Sequence, residues 1–274
     1  MTKTIQGREV PSLGFGTYEL EGEVCREAVE CAIQTGYRHI DTARMYENEA
    51  DVGRGIASSG IQREDLFVTS KVWWEHLEPE QIERETEESL KQLDFDYLDL
   101  MLIHWPNPEV SLEASIEALH QLRESGKIRH YGVSNFTPSL FKEACEYGEI
   151  FCNQVEYHPQ LGQLAVLEAA RQNGSAVTAY SPLGQGEEIG HEVLEEIGEK
   201  HGKSSAQVSL RWLIEQDVVL AIPRSSKREH IESNFDIFDF ELDSHDKLRI
   251  GGLPKDQRQI DPDFAPDWEN LHTL

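Results

Sequence analysis

A chain of 274 residues can bury one substantial core, and with no linker-like tract anywhere along it a single domain spanning 1–274 is expected. No apolar run approaches the roughly 20 residues of a membrane span, and the opening MTKTIQGREV lacks the apolar stretch of a secretory signal, so the reading is a cytoplasmic protein that does not enter membranes. The 51 Asp and Glu against 25 Lys and Arg leave a formal net charge of −26, which argues against a basic face for nucleic acid.

Repulsion among so many carboxylates destabilises a compact state in dilute buffer, and at 1 M salt a Debye length of about 3 Å screens it. Adaptation to concentrated salt is therefore expected, with the acidic clusters at 83–88 and 192–199 on the solvent side of helices. Cys25, Cys31, Cys145 and Cys152 have no C-x-x-C spacing and lie in or beside apolar periodic segments. They read as small buried hydrophobes in a reducing compartment, with neither disulfide nor metal site.

In chain order, TIQGREV sets a glycine between two short extended runs, the pattern of a hairpin. Strand-like runs then start at Leu13, His39, Leu66, Tyr97, His130, Phe151, Ala176 and Val218, alternating with helical patterns. That alternation predicts an eight-stranded (β/α)8 TIM barrel of the α/β class. The first helix gathers Cys25, Ala28, Val29, Ala32 and Ile33 on one face and ends at Gly36. Another is capped by Ser111, buries Leu112, Ile116, Leu119 and Leu122, and stops near Gly126; a third begins with Thr137 as cap and Pro138 in its first turn. A doubly wound dinucleotide fold needs G-x-G-x-x-G, and neither Gly14-Phe15-Gly16 nor Gly53-Arg54-Gly55 has the third glycine.

Asp41 and Tyr46 lie in GYRHIDTARMYENEADVG, Lys71 in LFVTSKVWW and His104 in YLDLMLIHWP, each where an apolar strand runs out into a loop. In a βα barrel those ends share one face, where the chemistry is done. By strand parity His104 shares a face with Leu100 and Leu102, while Asp99 falls on the other and has no role legible in sequence. These segments, with GVSNF, NQVEYHP, AYSPLG and IPRSS, resemble the aldo-keto reductase family over nearly the whole chain. The resemblance implies a hairpin closing the barrel floor and a catalytic tetrad of Asp41, Tyr46, Lys71 and His104, reducing aldehydes and ketones with a nicotinamide cofactor. Tyr46 would give the proton, Lys71 would stabilise the phenolate of a phenol whose free pKa is about 10, Asp41 would keep Lys71 charged, and His104 would orient the carbonyl.

The same resemblance puts Ser134, Asn135 and Gln154 on the nicotinamide carboxamide, Tyr180 on its ring, and the loop of Ser181 and Leu183 on the pyrophosphate. Ile222, Arg224, Ser225, Lys227, His230 and Asn234 fall on the adenosine side, where a basic loop in an acidic chain implies a 2′-phosphate and hence NADPH, with NADH as a weaker second donor. Where this chain has His230 the family usually has Arg, which clamps a phosphate better. Tyr18, Trp73 and Trp105 resemble pocket-lining positions, and DPDFAPDWEN, with Pro262, Phe264, Pro266 and Trp268, reads as an ordered non-helical tail leaning over a small-molecule carbonyl substrate. A monomer is expected. Two rival readings exist: a non-catalytic, cofactor-sensing regulatory relative, and a glycosidase using Asp41 and Glu156, which leaves Tyr46, Lys71 and the basic loop without a purpose.

Overall fold

The computed structural model describes residues 1–268. Strands β1 (Thr2–Ile5) and β2 (Arg8–Pro11) pair antiparallel as the hairpin that TIQGREV predicts. Eight parallel strands follow in sequence order: β3 (Phe15–Gly16), β4 (His39–Asp41), β5 (Phe67–Val72), β6 (Leu98–Ile103), β7 (Ile128–Ser134), β8 (Cys152–Glu156), β9 (Ala176–Tyr180) and β10 (Val219–Ala221). The sheet closes on itself where Leu13 bridges Ala221 in parallel and Gly16 N donates to Pro223 O at 3.0 Å. The architecture is the (β/α)8 barrel. Ile5 and Val10 of the hairpin pack with Phe67, Leu100, Leu102 and Leu220 of the barrel strands and with Phe151 just before β8, so the hairpin plugs one end of the barrel. Full burial of such a side chain is worth about 1.5–3 kcal/mol.

The helices form where the apolar periodicity puts them. In α1 (Gly22–Thr35) all five predicted face residues are buried, and Gly36 closes it at φ 128°, its N–H on Ala32 O and Ile33 O. Ser111 caps α4 (Leu112–Glu124) by accepting from Ala114 N, and Thr137 caps α5 (Pro138–Tyr147) by accepting from Leu140 N. α2 (Glu49–Ser59), α3 (Pro79–Leu93) and α6 (Leu164–Asn173) complete the alternation up to β9. Two helices then stand between β9 and β10, α7 (Glu192–His201) and α8 (Ser205–Ile214), split at Gly202 and capped anew by a reciprocal Ser204–Gln207 box. α9 (Arg228–Phe235) and α10 (Ser244–Gly251) precede a non-helical tail. No helix among the described residues is long and apolar enough to cross a membrane.

Asp99 has a structural partner set. Its Oδ2 accepts Val68 N at 3.0 Å and pairs with Arg63 at 2.8 Å, and its Oδ1 lies 3.7 Å from Arg8 of β2. The carboxylate thus joins the floor hairpin to the barrel wall.

Candidate active site

Each tetrad position emerges from the barrel where the sequence places it. Asp41 ends β4, Lys71 lies in β5, and His104 follows β6 with its N–H on Val72 O at 3.0 Å. Tyr46 closes a short 3-10 turn, Arg44–Tyr46, that leads from β4 toward α2. Lys71 Nζ is the hub: it donates to Asp41 Oδ1 at 2.5 Å, to Thr42 O at 2.9 Å and to Tyr46 Oη at 3.1 Å. The side chain is wholly buried. Burial alone would lower its pKa, but the charge of Asp41 and the contact with Tyr46 outweigh that and raise it, so it is an ammonium at neutral pH.

Tyr46 departs from expectation in one respect. Burial raises its phenol above the ordinary value, and Lys71 offsets this only in part because Asp41 acts in the opposite direction. At 2.5 Å from the ammonium, the Asp41 carboxylate cancels much of the field that Lys71 would cast on the phenol. The hydroxyl therefore keeps its proton across the neutral range. His104 is held well below the usual imidazole range, by burial first and by Lys71 second, so its ring is neutral with one N–H to donate. Its Nδ1 is buried and has no partner among the described residues.

Asp41 and Glu156 do not form a hydrolytic carboxylate pair. Asp41 carries Lys71 on one oxygen and Gln154 Nε2 on the other at 2.7 Å. Glu156 accepts Gln259 N at 2.8 Å, Ile260 N at 2.9 Å and His158 Nε2 at 3.2 Å, and so ties the tail to β8.

The cofactor candidates split into two groups. Ser134, Asn135, Gln154 and Tyr180 form one linked cluster at the ends of β7, β8 and β9. Tyr180 Oη donates to Asn135 Oδ1 at 2.8 Å, Asn135 Nδ2 to Ser134 Oγ at 3.1 Å and His104 O at 3.0 Å, and Ser134 Oγ to Gln154 O at 2.9 Å. The bond from Gln154 to Asp41 was not legible in sequence, and it leaves Oε1 to a ligand. Ser181 and Leu183 follow in a chain of tight turns, with Ser181 at φ 44°. Ile222 lies just beyond β10, where a Cβ on Gly16 would come to 3.0 Å from its carbonyl oxygen, so the glycine lets β3 and the end of β10 pack closely.

The second group surrounds the start of α9. Ser225 Oγ accepts Lys227 N at 3.0 Å, Asn234 is buried in α9, and His230 lies exposed beside Glu229 at 3.7 Å. Arg224 is engaged rather than free, in an ion pair with Glu19 of the loop after β3. Hydroxyl, ammonium, guanidinium and a helix start form a donor set suited to a phosphate. The polar cluster of Ser134, Asn135 and Gln154 and this phosphate donor set fit a nicotinamide dinucleotide.

The candidate pocket residues form an aromatic wall. Tyr18 lies 5.1 Å from the Tyr46 ring, Trp73 5.2 Å and Tyr46 5.8 Å from the His104 ring. The tail closes this wall: Phe264 contacts Trp73, Trp74 and Trp105 at 5.5, 5.1 and 5.4 Å, and Trp268 lies 6.2 Å from Trp105. Trp74 was not singled out in the sequence. Nor was Asn48, which is buried and donates to Thr17 O and Leu20 O at 2.8 Å while accepting Thr42 Oγ1 at 2.9 Å, tying the loop that bears Tyr18 to the one that bears Tyr46. The only sequence cue is its place two residues after Tyr46.

The model of the Aldo/keto reductase family matches residues 12–187 and 190–253. The chain belongs to that family. Its members are NAD(P)H-dependent oxidoreductases, and the curated relatives are named as reductases. This aldo-keto reductase is 46% identical over 259 residues, 93% of each chain, to a glyoxal reductase of Bacillus subtilis (strain 168). It is 40% identical over 266 residues to the methylglyoxal reductase DkgB of Escherichia coli O157:H7, covering 95% of this chain and 99% of the relative. Among solved structures, the aldose reductase of Schistosoma japonicum superposes with a TM-score of 0.90 at 31% identity, over 95% of this chain and 94% of that one.

Proposed function

We propose that this aldo-keto reductase reduces aldehydes and ketones to alcohols with NADPH, Tyr46 being the proton donor. The observation that carries the reading is the Tyr46 hydroxyl, 3.1 Å from a buried ammonium and beside a neutral His104, among the rings of Tyr18 and Trp73. The cofactor, when bound, supplies the hydride to the carbonyl carbon; the protein must supply a proton where negative charge develops on the oxygen.

A phenol that stays protonated at neutral pH is charged with its proton at the start of every turnover. As the oxygen becomes basic, Tyr46 gives up that proton, and the phenolate so formed lies against Lys71. Asp41 holds Lys71 in place and supplies the charge that lets an ammonium sit there at all. His104 donates its N–H to the same oxygen and fixes the carbonyl's orientation. Ser134, Asn135 and Gln154 read a carboxamide through paired donors and acceptors, and Tyr180 offers a flat face to the ring. Ser181 and Leu183 line the pyrophosphate, and Ile222, Arg224, Ser225, Lys227, His230 and Asn234 the adenosine phosphate. For Arg224 to serve there, Glu19 must give it up.

The names of the relatives point to small 2-oxoaldehydes as substrates, and the aromatic wall of Tyr18, Trp73 and Trp105 suits a planar carbonyl. The test is NADPH oxidation on adding glyoxal, methylglyoxal and an aromatic aldehyde to wild type and Tyr46→Phe. Wild type should turn over at least one of them, and Tyr46→Phe should bind NADPH as well as wild type yet lose about 10²–10⁴ in rate. A wild-type protein that binds NADPH and consumes none of it with any carbonyl would instead be the non-catalytic relative.

A further inference from the structure

Glu49 opens α2, is 2% exposed, and touches none of the groups assigned a chemical role above. Its Oε1 accepts the Ser70 hydroxyl at 2.6 Å and its Oε2 accepts Arg44 Nη1 at 2.7 Å. Ser70 precedes Lys71 on β5, so its side chain leaves the opposite face of the strand. Arg44 begins the turn that ends in Tyr46. One carboxylate therefore spans, from behind the barrel wall, the two segments whose polar ends meet inside it.

The turn has little else to hold it. Its own backbone contributes Tyr46 N to Ala43 O and Glu47 N to Arg44 O, both at 3.1 Å, and Glu47 leaves it in the left-handed region at φ 55°. Asn48 secures the chain after Tyr46, and Glu85 takes Arg44 Nε at 3.1 Å. Besides Lys71 itself and the bond from Thr42 N to Thr69 O at 2.9 Å just before the turn, it is Glu49 that links Arg44 of the turn to Ser70 of the strand that carries Lys71. An exposed ion pair could not fix such a distance, but a buried carboxylate with one partner on each side can.

We infer that Glu49 is a positioning residue: through Arg44 and Ser70 it sets the turn against β5 and so fixes the 3.1 Å contact between Lys71 and Tyr46. The inference rests on the reading of Tyr46 as proton donor. A proton donor must lie within hydrogen-bond reach, and a displacement of about 1 Å can cost on the order of 10² in rate.

Glu49→Gln keeps the volume but exchanges one acceptor oxygen for an NH₂ that can accept from neither Arg44 nor Ser70. With NADPH and methylglyoxal saturating, and well below the melting point, its single-turnover rate should fall by about 10- to 100-fold. The dissociation constant for NADPH and the KM for the aldehyde should stay at wild-type values. The deciding arm is the Tyr46→Phe background: there, adding Glu49→Gln should leave the residual rate unchanged, because the group it positions is gone. A further loss of the same factor in that background would make Glu49 a general support of the fold and overturn the inference. So would a wild-type rate in Glu49→Gln alone while Tyr46→Phe is impaired. If Tyr46→Phe itself keeps the wild-type rate, it is the proton-donor assignment that fails, a result readable without Glu49. Should Glu49→Gln not fold, Ser70→Ala removes one arm of the same clamp and carries the same comparison.

Discussion

Asp41→Asn removes the counter-charge of a buried cation while keeping the shape of the side chain. Lys71 is 0% exposed and its ammonium has three partners, of which only Asp41 is charged at neutral pH. Asparagine offers one acceptor oxygen where Lys71 at 2.5 Å and Gln154 at 2.7 Å now take two. Breaking a buried pair in this way costs about 3–5 kcal/mol, and at about 2–4 °C per kcal/mol the melting point should drop by roughly 6–20 °C. The pH dependence carries the sign. In wild type the folded pKa of Lys71 is raised, so its contribution is complete below the unfolded value of about 10.5 and is lost as pH rises through the folded value. In the variant burial is opposed only by the contact with Tyr46, so that pKa should fall and the deficit should be largest at neutral pH and shrink as pH approaches about 10.5, where the unfolded lysine is neutral as well. Thermal melts between neutral pH and that limit, on wild type, Asp41→Asn and Asp41→Asn/Lys71→Met, test this. The double variant, with no charge left to bury, should regain most of the lost stability and remain inactive. A wild-type melting point in Asp41→Asn, a deficit that widens with pH, or a double variant no better than the single one would refute the reasoning.

The surplus of 26 negative charges should make the melting point rise from low salt to molar KCl or NaCl as the repulsion is screened; a monotonic fall would leave an acidic protein without salt adaptation. His158 is pushed down by burial but raised more by Glu156 and Glu188, at 3.2 and 2.8 Å, so its contribution to stability is complete below about 6.5 and is lost as pH rises through the raised folded value. Its NMR titration midpoint should lie above 6.5, and a midpoint below that would mean the carboxylates do not compensate its burial. Replacing His230 by Arg should raise kcat/KM for NADPH more than for NADH; an unchanged ratio would place His230 out of reach of the adenosine phosphate.

The barrel was legible because its determinants are local. Strand runs, helix periodicity and caps such as Ser111 and Thr137 each specify an element without reference to the rest of the chain. The split of α7 from α8 rests on Gly202 and a new cap at Ser204, and α10 on the cap at Asp243, breaks that the alternation of strand and helix patterns does not place. Asp41, Tyr46, Lys71 and His104 stood out because each is a polar residue at the end of an apolar strand, and the structure brings Asp41, Tyr46 and Lys71 into hydrogen-bond contact with His104 beside them. What stayed hidden was pairwise. The bond from Gln154 to Asp41 joins residues 113 apart, the Arg224–Glu19 pair crosses from one loop to another, and Asp99 is explained only by Arg63 and Arg8. The raised phenol of Tyr46 was hidden for the same reason, because it depends on the net field of a pair and not on the presence of a lysine.

Deuterium at the transferable position of NADPH offers the most direct test of carbonyl reduction by this site. After reaction with methylglyoxal, mass spectrometry of the alcohol from wild type should show one deuterium on the carbinol carbon, and Tyr46→Phe, although still saturated with NADPH, should form that product slower by about 10²–10⁴. Product lacking the label, or labelled product formed by Tyr46→Phe at the wild-type rate, would contradict hydride transfer completed by a proton from Tyr46.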